Sequence, residues 1–207
     1  EISGAKVADE NGAAIRVEND ITICNAYIHD NEDGVLGGGV NTLIEYSEFS
    51  QNGLTDCGYN HNIYISDGDV FVLKHSYIHD AVCGTDTGHN VKTRAKNNYI
   101  LYNRIANEAT GTASDQINVP QGGLTYIVGN VIRESSKSHS NRIILYYDGG
   151  DGAAHASRDL YLINNTIISD NGEAFLTPGG GTTVRAYNNL LWGSPKTISA
   201  ANQSNNI

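Results

Sequence analysis

The feature that most constrains this chain is a column of small or polar residues, each followed two places on by an apolar one. Ala26, Ser47, Ser76, Asn103, Asn130, Asn165 and Asn189 lead to Ile28, Phe49, Ile78, Ile105, Ile132, Ile167 and Leu191, at spacings of 21, 29, 27, 27, 35 and 24 residues. Alternating apolar runs open the steps, as in Val70-Phe71-Val72-Leu73, Tyr99-Ile100-Leu101, Tyr126-Ile127-Val128 and Leu160-Tyr161-Leu162-Ile163. A period of two means strand, and self-similarity at this interval means a stack of repeats. The last four residues of the column are all Asn, which tolerates a left-handed bend and can bond an identical residue stacked above it. An asparagine ladder at a solenoid corner is expected.

A second strand series keeps the same step: Gly34-Val35-Leu36, Asn62 to Ile65, Asn90 to Thr93, Gln116 to Val119, Arg142 to Leu145 and Ala174-Phe175-Leu176, with apolar positions at 63, 91, 117, 143 and 175. Loops of variable length separate the two series. The irregular spacing excludes the short fixed repeats of hexapeptide and calcium-binding nonapeptide helices. The expectation is all-β: a right-handed parallel β-helix of about seven coils over residues 1–193, its loops walling a groove beside one sheet. Residues 194–207, rich in Ser, Asn and Ala with weak periodicity, read as a cap or tail rather than a coil. Composition agrees, with 23 glycines, 3 prolines, no methionine and few runs of helix formers.

A net charge of -10 argues against nucleic-acid or anionic-membrane partners, which need a basic face. No segment approaches the roughly 20 apolar residues of a membrane span, and a monomer is expected. The start at Glu1 without Met reads as a processed or trimmed product. Against that acidity Lys92, Arg94 and Lys96 form the densest basic cluster, since only Lys6, Arg16 and Lys74 precede them. On a strand Val91 and Thr93 would face the core, with Asn90, Lys92 and Arg94 facing out. Aligning the second strands stacks Tyr64, Lys92, Asn118 and Ile144 in one outward column and Ser66, Arg94, Pro120 and Tyr146 in the next. At roughly 4.8 Å between strands, Tyr64, Lys92, Arg94 and Asn118 then share one sugar-sized patch, with Asn90, Asp115 and Tyr146 as further binding residues. His61 and His89 hold equivalent places in adjacent coils. Three cysteines cannot all pair and lack metal-ligand spacing. Cys24 reads as a buried thiol, while Cys57 and Cys83 sit in loops of successive repeats where a disulfide is possible.

The stretches Glu10 to Glu18, Ile28 to Leu36, His61-Asn62-Ile63-Tyr64 and Gly88 to Ala95 resemble bacterial right-handed parallel β-helix proteins of the pectate-lyase-like superfamily, over roughly residues 8 to 170. The resemblance implies a secreted or periplasmic protein handling a polysaccharide, often an acidic one such as a polyuronate, with some relatives lyases or epimerases. The chain departs from the family's pattern at its front, where relatives have more coils before the position matching Glu10. β-Elimination of a uronate needs a cation on the carboxylate, a base for the adjacent proton and an acid for the leaving oxygen. Arg94 suits the first role by its planar fork. Lys92 suits the second if Arg94 and Lys96 lie close enough to ease its deprotonation, and Tyr64, His61 or His89 suit the third. Alternatives are a non-catalytic glycan- or protein-binding module, an epimerase, or a glycoside hydrolase using Asp115, for which no second carboxylate on the same face is evident. His29-Asp30 and His79-Asp80 repeat one Ile-His-Asp turn and read as corner structure. Calcium bridging a uronate carboxylate is common in similar lyases. Asp30 to Gly34 and Asp148 to Gly152 offer oxygen ligands for it, though neither matches an EF-hand and solvated turns explain both.

Overall fold

The computed structural model describes residues 1–9, 11–55, 59–84, 87–149, 152–171, 174–193, 198 and 202–207. Every regular element among them is a strand, and the strands pair in parallel into three long sheets of eight, eight and seven strands plus a small two-stranded one. One coil shows the plan. Val70–Lys74 lies in the back sheet, Tyr77–His79 in the side sheet, Val91–Thr93 in the front sheet, and Asn97–Leu101 returns to the back sheet. The small sheet pairs Gly53–Leu54 with Val82–Cys83 between side and front. The fold is a parallel β-helix.

Alternation along each strand sends one set of apolar residues inward, and the parallel register stacks them coil upon coil. On the side sheet the expected column holds throughout, with Ile28, Phe49, Ile78, Ile105, Ile132, Ile167 and Leu191 in register. The back sheet stacks Ile23, Ile44, Leu73, Ile100, Ile127, Leu162 and Ala186. In the front sheet Val35, Ile63, Val91 and Ile117 follow one another, and the next rungs are Ile144 and Leu176. The expected rungs at Ile143 and Phe175 are therefore displaced by one residue. Arg142–Tyr146 reads RIILY, with no alternation to define its faces, and Ile143, Ile144, Leu145 and Tyr146 are all buried.

The corner between back and side sheets carries the ladder. Ser47 and Ser76 hydroxyls each accept the backbone N–H of the preceding rung at 3.1 Å. Above them Asn103, Asn130, Asn165 and Asn189 Oδ1 atoms do the same at 2.8–3.0 Å. Asn206 adds one more rung, accepting from Asn189 N and Nδ2 at 3.0 and 2.8 Å. The C-terminal segment, expected to be a cap or tail rather than a coil, thus contributes this rung and the strand Asn202–Ser204 of the back sheet. The left-handed residue of the corner is the one before each rung: Asn25, Tyr46, His75, Tyr102, Gly129, Asn164, Asn188 and Asn205 all have φ between 49° and 70°. Cys24 lies on the outward side of its strand and is exposed, contrary to the buried reading, because Ile21 and Ile23 take the inward positions. Cys57 falls outside the described residues. Cys83 is buried, which pushes its thiol up to about 12.

Candidate functional site

The front sheet presents the groove. Register places Leu36, Tyr64, Lys92, Asn118 and Leu145 in one outward column, so Leu145 stands where Ile144 was expected. Two residues ahead of the inward rungs Val35, Ile63, Val91, Ile117 and Ile144 runs a second column, Asp33, His61, His89, Asp115 and Arg142, whose side chains bond from coil to coil. Asp33 Oδ1 accepts the His61 N–H at 2.7 Å, His61 Nδ1 accepts the His89 N–H at 3.0 Å, and His89 Nδ1 accepts the Asp115 N–H at 3.2 Å. Arg142 Nε and Nη2 then donate to the two Asp115 oxygens at 3.0 and 3.3 Å.

A cavity of about 360 Å³ opens over these columns, lined by His61, Tyr64, His89, Lys92, Arg94, Asn118, Arg142 and Leu145, with Tyr59, Thr87 and Asp148 at its walls. The tightest part is the pair of imidazoles, stacked at 5.2 Å and buried. Burial first, then neighbouring positive groups, hold both well below the usual histidine range. Each ring is neutral and accepts a backbone N–H at Nδ1, so its proton sits on Nε2. Two cations approach the Tyr64 ring, with Lys92 Nζ 5.3 Å and Arg94 Cζ 5.1 Å from its centroid. It meets His61 edge-on at 5.0 Å. Asn118 Nδ2 donates to Asp115 Oδ2 at 2.6 Å, and nothing among the described residues donates to its buried Oδ1.

Of the expected site residues, Tyr64, Lys92, Arg94, Asn118, His61 and His89 converge on this cavity. Asp115 lies beneath it, fully buried, and burial raises its carboxyl while Arg142 opposes the shift. Two placements need correction. Asn90 does not face outward: its amide is buried, accepting from Asn62 Nδ2 at 2.7 Å and donating to Gln116 Oε1 at 2.7 Å. Tyr146 pairs with Val119 on the inward side, and its hydroxyl donates to the Gly123 carbonyl at 2.5 Å. Lys96 also leaves the cluster, pairing with Asp69 outside the cavity. Tyr59, Thr87 and Leu145 are uncharged lining residues that sequence reasoning missed, and Arg142 is the charged one. Its signal is the 27-residue step from Asp115, one coil, which makes the partner of Asp115 a cation rather than a carboxylate.

The Ile-His-Asp turns are structural ties: His79 Nδ1 lies 3.0 Å from Asp80 Oδ2, and Asp80 Oδ1 accepts the Glu108 and Gly111 N–H groups at 2.8 and 2.6 Å. In the first acidic stretch Asn31, Glu32 and Asp33 are buried and engaged, Glu32 with Val7 N and Gly12 N, so it is not the solvated turn expected. In the second, Gly150 and Asp151 lie outside the described residues. No group of three or more His, Cys, Asp or Glu among the described residues is placed to hold a metal ion. No family model, curated protein or solved structure matches the chain.

Proposed function

We propose that the chain acts on a uronate-containing polysaccharide, cleaving it by β-elimination in the front groove, as the pectate-lyase-like resemblance implies. The observation that carries this reading is the gathering of Lys92, Arg94 and Arg142 around two neutral imidazoles in one cavity of a chain with net charge -10. A concave cationic site suits an anionic chain, and charged hydrogen bonds from guanidinium suit a carboxylate. Arg94, with the Nε2–H edges of His61 and His89, would hold the uronate carboxylate and stabilise the charge that develops on it. Lys92, entering the step as the free amine, would take the proton beside that carboxylate, the bond to the leaving oxygen would break as the double bond forms, and Tyr64 would protonate that oxygen. A neutral imidazole is a poor acid, so the roles of His61 and His89 are binding ones. Asn118 Oδ1, a buried acceptor, suits a sugar hydroxyl. Asp115, buried against Arg142, is poorly placed for a hydrolase acid.

The test is ultraviolet absorbance of the unsaturated uronate on a panel of alginate, pectate, glucuronan and glycosaminoglycans. Lys92→Ala should abolish turnover while leaving affinity within about tenfold, roughly 1.4 kcal/mol. Arg94→Ala should weaken both. A second reading, a binding module secreted or periplasmic in the same way, draws on the neutrality of both imidazoles, which leaves the groove rich in donors. Binding without turnover, merely weakened by Lys92→Ala, would establish that reading instead.

A further inference from the structure

At the ladder corner, well away from the front groove in the chain's path, the left-handed column departs from its own rule. Five of its rungs are the residues that such backbone favours, Asn25, Gly129, Asn164, Asn188 and Asn205, but three successive ones are Tyr46, His75 and Tyr102, with φ of 49°, 51° and 57°. Bulky side chains are strained there, and strain that a fold retains is a reason to look for function. The three rings form one stack, 5.2 and 5.5 Å apart and within 13° of parallel. They are not core residues: Tyr46 and Tyr102 are 56% and 57% exposed. Tyr102 leans over Gly129, where a Cβ would come within 2.5 Å of its ring. The stack borders an open groove of about 780 Å³ that Tyr27 and Tyr77 line from the side sheet.

We propose that this corner is a second glycan site, and that it takes a neutral oligosaccharide. Aromatic walls with a few polar groups are the usual make-up of a small-molecule site. The charge differs in kind from that of the front groove: the lining contains the Glu48 carboxylate and neither Lys nor Arg, so it offers hydroxyl, imidazole and carboxylate groups to sugar hydroxyls and no Lys or Arg to pair with a polyanion. One aromatic rung per coil along the solenoid axis also fits a ligand that is itself linear and repeating.

The experiment titrates cellohexaose, xylohexaose and mannohexaose, with oligogalacturonate as the charged control, into wild type, the triple variant Tyr46→Asn/His75→Asn/Tyr102→Asn and the double variant Lys92→Ala/Arg94→Ala. Asn restores the residue that four of the other five positions carry. We expect at least one neutral hexaose to bind wild type, to bind the triple variant at least tenfold more weakly and to bind the double variant unchanged, while the triple variant's thermal midpoint stays level or rises. Failure of all three hexaoses to bind, equal binding to the triple variant, or loss confined to the double variant would overturn the proposal. So would a marked fall in the triple variant's midpoint, which would make the stack a stabilising device. The absorbance assay reads the front groove alone, so either site can fail without the other.

Discussion

Asp33 and Glu134 are buried carboxyls whose acidity is displaced upward, Asp33 to about 6 and Glu134 to about 7, in both cases chiefly by burial. Each therefore binds its proton more tightly in the folded chain than in the unfolded one. The stabilisation this represents is complete below about pH 4 and drains away as pH rises through the folded values, on the order of 3 kcal/mol for each group. His61 and His89 work in the opposite direction: held neutral by burial, they stabilise above the ordinary histidine pKa of 6.5 and cease to do so as pH falls. Because the two effects oppose one another, the wild-type profile mixes them and single variants separate them. Glu134→Gln keeps an acceptor for the Ser169 hydroxyl, now 2.9 Å away. It should raise the thermal midpoint at pH 8 and give no gain at pH 4. An equal gain at both values in scanning calorimetry would remove ionisation as the cause.

The ladder is where an element's stability can be tested. Asn130 accepts from Asn103 N and Nδ2 at 2.8 and 3.1 Å and donates to the Ile100 carbonyl at 2.9 Å. Asn130→Ala leaves the buried Asn103 N–H unpaired and takes one partner each from Asn103 Nδ2, which keeps the Leu73 carbonyl, and from the Ile100 carbonyl; at about 1–3 kcal/mol for an unsatisfied buried group, a loss of about 2–4 kcal/mol is expected in urea unfolding. Asn130→Ser keeps the acceptor for Asn103 N, as Ser76 does for Ser47, and should recover about half; equal stability of all three proteins would discount the ladder. These rungs were legible in the sequence because polar and apolar residues kept step through loops of changing length. What was not legible came from strands and corners that lose their pattern. The run Ile143-Ile144-Leu145 has no polar residue to mark a face, so the register slipped by one and Tyr146 was expected outside. Left-handed geometry was ascribed to the ladder asparagines, but it belongs to the residue before each rung, because the rung's own side chain is turned in to reach the next coil. Asn90 was misplaced for a related reason: it precedes the regular strand Val91–Thr93, where alternation no longer assigns sides.

For the molecule as a whole, charge separates the two surfaces proposed to bind glycans. Raising salt from about 0.1 M to 1 M shortens the screening length from about 10 Å to about 3 Å. Oligogalacturonate binding at the front groove should weaken at least tenfold over that range, and hexaose binding at the ladder corner by less than twofold. Calorimetric titration at both salts checks this, and equal salt responses would show that the two surfaces do not differ in kind. The front groove has a further property that follows from its column of Asp33, His61, His89 and Asp115. To the backbone, three of these side chains, those of Asp33, His61 and His89, owe one acceptor each for the N–H of the coil above, a duty that carboxylate and imidazole discharge alike. The frame thus places little restriction on which acceptor occupies a rung, while the groove feels every exchange as a change of charge or proton supply. A wall built this way is writable: its chemistry can be revised one coil at a time, by substitution or by engineering, with the scaffold left standing.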